Sequence, residues 1–234
     1  MKIWAIQMRN FRLLFTVTNM KTPNDFNIQT VYSYNNSNDL KNYYNDWAHE
    51  YDDYTNDVNY ILPESVVEIF CNYPLKEKAT VLDIGCGTGL VGLHLANKQQ
   101  NLWIEGIDIS RSMAHIAATK RKPNFKPVYD WIIIEDFKIN KLLPENYYDA
   151  IISAGTFTTG HLDCDDLINS IKYLKKDGLA VLSIKEDHYI NNKFNKKIFK
   201  VQKNNLIQNV ETFKLKSYNS NFDAKSIVVK FNKA

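Results

Sequence analysis

Arginine is scarce in this chain: four occur, and none lies beyond Arg121. Bidentate phosphate and base contacts favour arginine, so the scarcity argues against a dedicated nucleic-acid reader. Cysteine is nearly absent too. Cys71, Cys86 and Cys164 are odd in number and far apart. They exclude a disulfide framework and a cysteine-rich metal cluster, and fit a reducing compartment. No apolar run is long enough to span a membrane as a helix. His94, His115 and His188 have no metal-site spacing. Glycine is sparse at eight residues, but four of them fall between positions 85 and 92.

What is present is enough for a folded core. The 234 residues are 44% apolar and 24% charged, which allows one large domain or two small ones. The net charge of +3 averages two unlike regions. Residues 39–68 hold eight acids against Lys41, whereas residues 190–234 hold ten lysines against Glu211 and Asp223. That lysine-rich end reads as a solvated face. The first 20 residues are basic, with Lys2, Arg9 and Arg12, and no acid precedes Asp25. They read first as an untargeted or artefactual extension of a cytoplasmic protein, and second as a mitochondrial presequence.

The pattern along the chain assigns residues 1–40 to a flexible arm and 41–234 to one domain, with lid helices over 41–74 and a sheet domain over 75–234. Tyr43, Trp47, Tyr51 and Tyr54 share one helical face; Tyr43, Trp47 and Tyr54 could line an apolar acceptor pocket, with ordinary core packing the alternative and the stronger reading for Trp47. Pro63 opens a second helix. Strands are expected at 79–85, 102–109, 128–136, 148–155 and 179–185. Helices are expected between them, including Leu90–Lys98, one capped by Ser110, and one near Asp163–Lys175. Such alternation specifies a parallel sheet with helices on both faces. After a helix at 192–203, runs at 206–218 and 225–231 read as an antiparallel hairpin on the sheet edge.

The strongest motif is Val81-Leu82-Asp83-Ile84-Gly85-Cys86-Gly87-Thr88-Gly89. A buried strand enters a turn whose glycines let a ligand lie against the backbone, and a helix N-terminus follows. Gly87 to Gly92 also satisfies the dinucleotide fingerprint. Three features favour S-adenosylmethionine (SAM) over NAD. Asp83 suits an ammonium and would repel a pyrophosphate. The glycines run G-x-G-x-G from Gly85, one turn earlier than the dinucleotide register. The terminal hairpin leaves no second half for a nicotinamide. Asp108 ends the second strand, 19 residues after Gly89, where a carboxylate accepts from a ribose diol.

Asp83 to Gly89, followed by Gly106-Ile107-Asp108-Ile109-Ser110, resembles class I SAM-dependent methyltransferases over about residues 42–185. Tyr44 to Asp52, Gly89-Leu90-Val91 and Ala154 to His161 look like the Williams–Beuren-region methyltransferase-like family, which is similar to the ubiquinone and menaquinone methyltransferases. The resemblance implies a Rossmann-like, doubly wound α/β fold. Its sheet would have seven mostly parallel strands, a C-terminal antiparallel hairpin and an N-terminal helical lid. It also implies SAM as cofactor, with S-adenosylhomocysteine (SAH) as product. Gly85, Cys86, Gly87, Thr88, Gly89 and Leu90 would follow the methionine part, and Asp83 its amino group. Asp108 would hold the ribose, and Ile109 and Met113 would flank the adenine. Asp136 would accept from the adenine amine beside the Phe137 N–H. Ser153, with Ala154 and Gly155, would border the sulfonium, and Tyr51 would cover the methionine end.

Methyl transfer needs alignment first, and a base only where the acceptor loses a proton. His161, after the fourth strand, is the candidate base, with a surface histidine as the equal alternative. No Asn/Asp-Pro-Pro-Tyr/Phe follows that strand, and no Pro-Cys or Thr-Cys nucleophile occurs, which argues against adenine-N6, glutamine and pyrimidine-C5 chemistry. The expected partner is a small-molecule or lipid-like methyl acceptor, nucleic acid is not expected, and a monomer is favoured. A SAM-binding protein without catalysis and a methyltransferase on a macromolecule are the alternatives.

Overall fold

The structure is a computed structural model, and it describes residues 26–34, 36–99, 101–220 and 223–234. The extension at 1–20 lies outside the described residues.

The elements in chain order are α1 (Ile28–Val31), α2 (Ser37–Asp57), α3 (Leu62–Cys71), β1 (Thr80–Ile84), α4 (Leu90–Lys98), β2 (Trp103–Asp108), α5 (Arg111–Thr119), β3 (Trp131–Ile134), β4 (Tyr148–Phe157), α6 (Cys164–Ser170), β5 (Leu174–Lys185), α7 (Glu186–Asn191), α8 (Phe194–Lys203), β6 (Ile207–Lys216) and β7 (Lys225–Lys233). They build a seven-stranded sheet in the order β3-β2-β1-β4-β5-β7-β6. The first five strands in that order are parallel. β7 runs antiparallel to both β5 and β6. The expected doubly wound sheet with a terminal edge hairpin is therefore what the chain forms.

Alternation along each strand sends side chains to opposite faces. Leu82 and Ile84 of β1 join a core with Leu167, Phe194 and Ile198, under α6 and α8. Val81 joins the opposite core with Val66, Phe70, Val91 and Leu95, under α3 and α4. Burying both faces explains the near-continuous apolar strands. Strand order reverses between β1 and β4, which leaves a crevice at their carboxyl ends, where ligands of such sheets bind.

Caps position the helices around that crevice. The Asn36 side chain accepts from Asp39 N and starts α2, and Ser110 Oγ accepts from Met113 N and starts α5. Asp163 and Asp166 close a reciprocal capping box on α6.

Four expectations differ from the structure. The segment read as an arm packs from Phe26 onward: Phe26, Val31 and Leu40 bury against Tyr43 and Trp47 in a third cluster. Tyr43 and Trp47 thus spend their rings on this packing and line no acceptor pocket. The helix near 163–175 ends at Ser170, and a 3-10 turn leads into β5 at Leu174. Asp177, at φ 60°, belongs to an irregularity inside β5, where pairing shifts from Tyr148–Leu174 to Ala150–Leu179. The strand expected over 128–136 pairs only across Trp131–Ile134, because Val128 and Tyr129 turn into the core.

Candidate active site

The loop between β1 and α4 is shaped by its glycines. Gly85, Gly87 and Gly89 have φ of 68°, 53° and 91°, the left-handed region that glycine enters without strain. The amides of Gly85 and Cys86 donate to the Ile107 carbonyl at 2.8 and 3.1 Å. Gly87 N donates to Asp108 Oδ2 at 2.8 Å, and Ser110 N donates to Asp108 Oδ1 at 2.8 Å. Asp108 therefore ties the glycine loop to the start of α5. A Cβ on Gly85 would sit 2.2 Å from Thr156 Oγ1, whereas a Cβ on Gly87 would meet nothing within 4 Å. Gly85 is needed for packing inside the protein. Gly87 leaves a bare stretch of backbone facing a cavity.

That cavity, about 110 Å³, lies at the switch point of the sheet. Its floor is Gly85, Gly87, Ile107 and Asp108, and Met113 and Phe137 supply apolar wall. Tyr44 and Tyr51 of α2 cover it. Two polar latches hold α2 down. Asp52 accepts from Thr88 Oγ1 at 2.6 Å and also pairs with Lys120. Asn45 Oδ1 accepts from Ser110 Oγ at 2.8 Å and Ser112 N at 3.1 Å. The helix is thus anchored to the glycine loop at one point and to the α5 cap at another.

Buried charge around the cavity is acidic. Asp83 lies fully buried behind the loop; its Oδ2 accepts from Tyr129 Oη at 2.6 Å. Its Oδ1 has no hydrogen-bond partner among the described residues. Burial pushes the Asp83 carboxyl up to about 7, against the stabilising Tyr129 hydrogen bond, and neighbouring Asp108 adds to the rise. Burial likewise raises Asp108 to about 6, opposed by the Ser110 and Gly87 amides. Glu135, on the cavity wall, has a buried Oε2 with no partner among the described residues. Unpaired buried carboxylate oxygens are costly and mark a place for a cationic or hydrogen-bond-donating ligand.

His161 also lines the cavity. Burial lowers its imidazole to about 4, with Lys138 and His188 adding to the effect and the Thr159 carbonyl opposing it. The ring is therefore neutral at pH 7. With Nδ1–H donating to Thr159 O at 3.1 Å, Nε2 accepts from the Tyr44 hydroxyl at 3.0 Å.

The methyltransferase domain family matches residues 81–178, which span β1 to the start of β5. That match covers less than half of the chain, the part that builds the parallel strands and the glycine loop. The chain is 27% identical over 144 residues to a malonyl-[acyl-carrier protein] O-methyltransferase of Bacillus cytotoxicus, covering 62% of this chain and 48% of that protein. It is 38% identical over 78 residues to a tRNA1(Val) (adenine(37)-N6)-methyltransferase of Pedobacter heparinus, covering 33% and 32%. It thus spans about half the length, or less, of these curated relatives. The TehB-like SAM-dependent methyltransferase of Corynebacterium glutamicum shares the fold, with a TM-score of 0.57, 22% identity and coverage of 82% of this chain and 99% of that one.

The residues around the cavity fit SAM by their chemistry. An uncovered Gly87 backbone and a carboxylate at Asp108 with lone pairs to spare suit a ligand with a ribose diol, and the Asp83 carboxyl buried behind the loop adds acidic character that suits an ammonium. Of the residues singled out from sequence, Tyr51, Gly85, Gly87, Asp108, Ile109, Met113, Asp136, Phe137 and His161 line the cavity. Asp83, Cys86, Thr88, Gly89, Leu90 and Ser153 are not among its lining residues. Cys86 is buried, and burial pushes its thiol well above the ordinary value. Thr88 holds Asp52. Gly89 packs under Tyr129 and Ala117. Ser153 Oγ donates to the Ile84 carbonyl at 2.7 Å, which braces β4 against the loop. Asp136 Oδ1 accepts from Lys138 N at 2.9 Å and shapes its own turn. Sequence reasoning missed Glu135, Thr156 and the pairing role of Tyr44. The Tyr44–His161 hydrogen bond joins residues 117 apart in the chain, so no local pattern announces it.

Proposed function

We propose that the protein transfers a methyl group from SAM to a small-molecule oxygen acceptor. The observation that carries the cofactor half is the cavity built from the bare Gly87 backbone and Asp108 beneath Tyr44 and Tyr51. When bound, SAM supplies a methyl carbon on a sulfonium, whose C–S electron pair goes to sulfur as the acceptor's lone pair forms the new bond. The chain's own residues provide proximity and dryness. Asp108 orients the ribose, the glycine loop carries the methionine portion, and the aromatic lid excludes water.

Proton handling falls to Tyr44 and His161. As the acceptor oxygen gains its methyl, its proton passes to Tyr44 Oη and the tyrosine proton passes to His161 Nε2. A methylated hydroxyl still carrying its proton is strongly acidic, so an imidazole held at about 4 can take it. An alkylammonium of pKa ~10.4 would hold its proton against such a base by about 9 kcal/mol. That asymmetry favours oxygen over amine acceptors, in line with the O-methyltransferase among the relatives. Incubation with methyl-labelled SAM and matched hydroxyl and amine acceptors tests the reading. Label on hydroxyl acceptors, lost in His161→Ala, supports it. SAM binding without transfer to any acceptor favours a non-catalytic role. Transfer confined to RNA or protein favours a macromolecular one.

A further inference from the structure

A second cavity lies on the far side of Tyr44, Tyr51 and Gly155, and these three residues line both cavities. It is about 50 Å³, room for a few waters or one small functional group. Its polar lining is unusual. Tyr32, Tyr51, Tyr54, Tyr60, Tyr218 and Lys185 surround it, and no carboxylate is among the lining residues.

Three separate parts of the chain bring these groups together. α2 supplies Tyr51 and Tyr54. Tyr60, on the α2–α3 connection, packs with a tilted ring against Tyr218 of the hairpin end, at 5.1 Å between ring centroids. Backbone bonds Ile61 N to Ser217 O (3.0 Å) and Asn219 N to Asn59 O (2.8 Å) stitch that connection to the hairpin. Lys185 ends β5, and its Nζ lies 3.9 Å from the Tyr32 ring centroid and 3.0 Å from Asp187, which stands outside the cavity lining.

Burial raises Tyr51, Tyr60 and Tyr218 above the ordinary phenol value, and lifts Tyr32 to about 12. The hydroxyls are therefore protonated at neutral pH and able to donate. Phenol donors and one ammonium, with no facing carboxylate, complement oxygen acceptors and negative charge. The side chain of Lys185 is 26% exposed, so its charge is only partly screened.

We propose that this second cavity takes one end of the methyl acceptor, an anionic oxygen group that is a carboxylate or a phosphate, gripped by Lys185 and the tyrosine hydroxyls. The proposal rests on the methyl-transfer reading above and names its substrate class. The acceptor's nucleophilic oxygen would face Tyr44, Tyr51 and Gly155, where the two cavities meet, and its anion would lie toward Lys185.

Calorimetric titration of SAH-saturated protein with 4-hydroxybenzoate, phenyl phosphate and 4-hydroxybenzyl alcohol tests this. At least one anionic probe should bind tenfold or more tightly than the neutral alcohol, and which one does so separates carboxylate from phosphate. Lys185→Met should abolish that preference and Lys185→Arg should retain it, with SAH affinity unchanged in both, because Lys185 is not a lining residue of the first cavity. Equal binding of all probes, binding of none, or a preference that survives Lys185→Met would overturn the assignment. Failure of SAH itself to bind would instead overturn the cofactor reading on which it rests.

Discussion

Replacing Gly87 by alanine separates ligand recognition from folding. The new Cβ would meet no protein atom within 4 Å, so no packing is lost. The backbone at φ 53° still penalises a side chain, by about 1–2 kcal/mol for a non-glycine residue in the left-handed region. For a domain of this size, that lowers the melting temperature by about 2–8 °C. The methyl group projects from the wall where the methionine part of SAM is to lie. Overpacking by one methyl-sized group costs about 1–3 kcal/mol, or about 5–150-fold in affinity. Thermal melts should therefore show a folded protein, while calorimetry should show SAH binding weakened by one to two orders of magnitude. Gly92→Ala is the contrast. There a Cβ would stand 2.4 Å from the Tyr129 hydroxyl, whose bond to Asp83 must then shift, so stability falls first. SAH affinity within twofold of wild type in Gly87→Ala would refute the placement of the cofactor along this loop.

The remaining predictions concern charge and the lid. Folded Asp83 holds its proton up to about 7, above the unfolded value of ~3.9. Its contribution to stability is therefore fullest below that unfolded value and is lost as pH rises to 7, which denaturant titrations of wild type and Asp83→Asn can resolve. Cofactor affinity runs the other way: a cationic amino group favours ionised Asp83. SAH should bind more tightly at pH 7 than at pH 5, with proton release at pH 6 measured in buffers of different ionisation enthalpy. No release would contradict the counter-charge role. Tyr44→Phe and His161→Ala should each lower turnover by about 10²–10⁴-fold, with the double variant no worse than the weaker single one, as expected of one proton path. Additive losses would separate the two residues. Asp52→Ala removes the bonds to Thr88 and Lys120, so hydrogen exchange in α2 should accelerate and SAH affinity should fall.

The sheet was legible because its signals are local. Apolar runs ending in glycine or aspartate, and caps such as Ser110, identify strands and helices within a few residues of their ends. The glycine loop and Asp108 were legible for the same reason, since backbone freedom and one carboxylate at a fixed spacing are written contiguously. What stayed hidden depends on tertiary contact. Trp47 packs against Phe26 and Tyr43, as core packing of its face implies, whereas the reach of Tyr44 to His161 has no local signal. Asp83 was read as meeting the cofactor's amino group directly or through water, and its partner in the fold, Tyr129, lies 46 residues away. The second cavity joins the α2–α3 connection, the end of β5 and the hairpin, three segments whose proximity only the sheet order creates.

The most direct test of the account is a crystal structure of the protein with SAH bound. The account predicts both ribose hydroxyls within hydrogen-bond distance of the Asp108 carboxylate and the homocysteine part against Gly85 and Gly87, with its sulfur turned toward Gly155. SAH bound elsewhere, or in this cavity with its ribose away from Asp108, would contradict it.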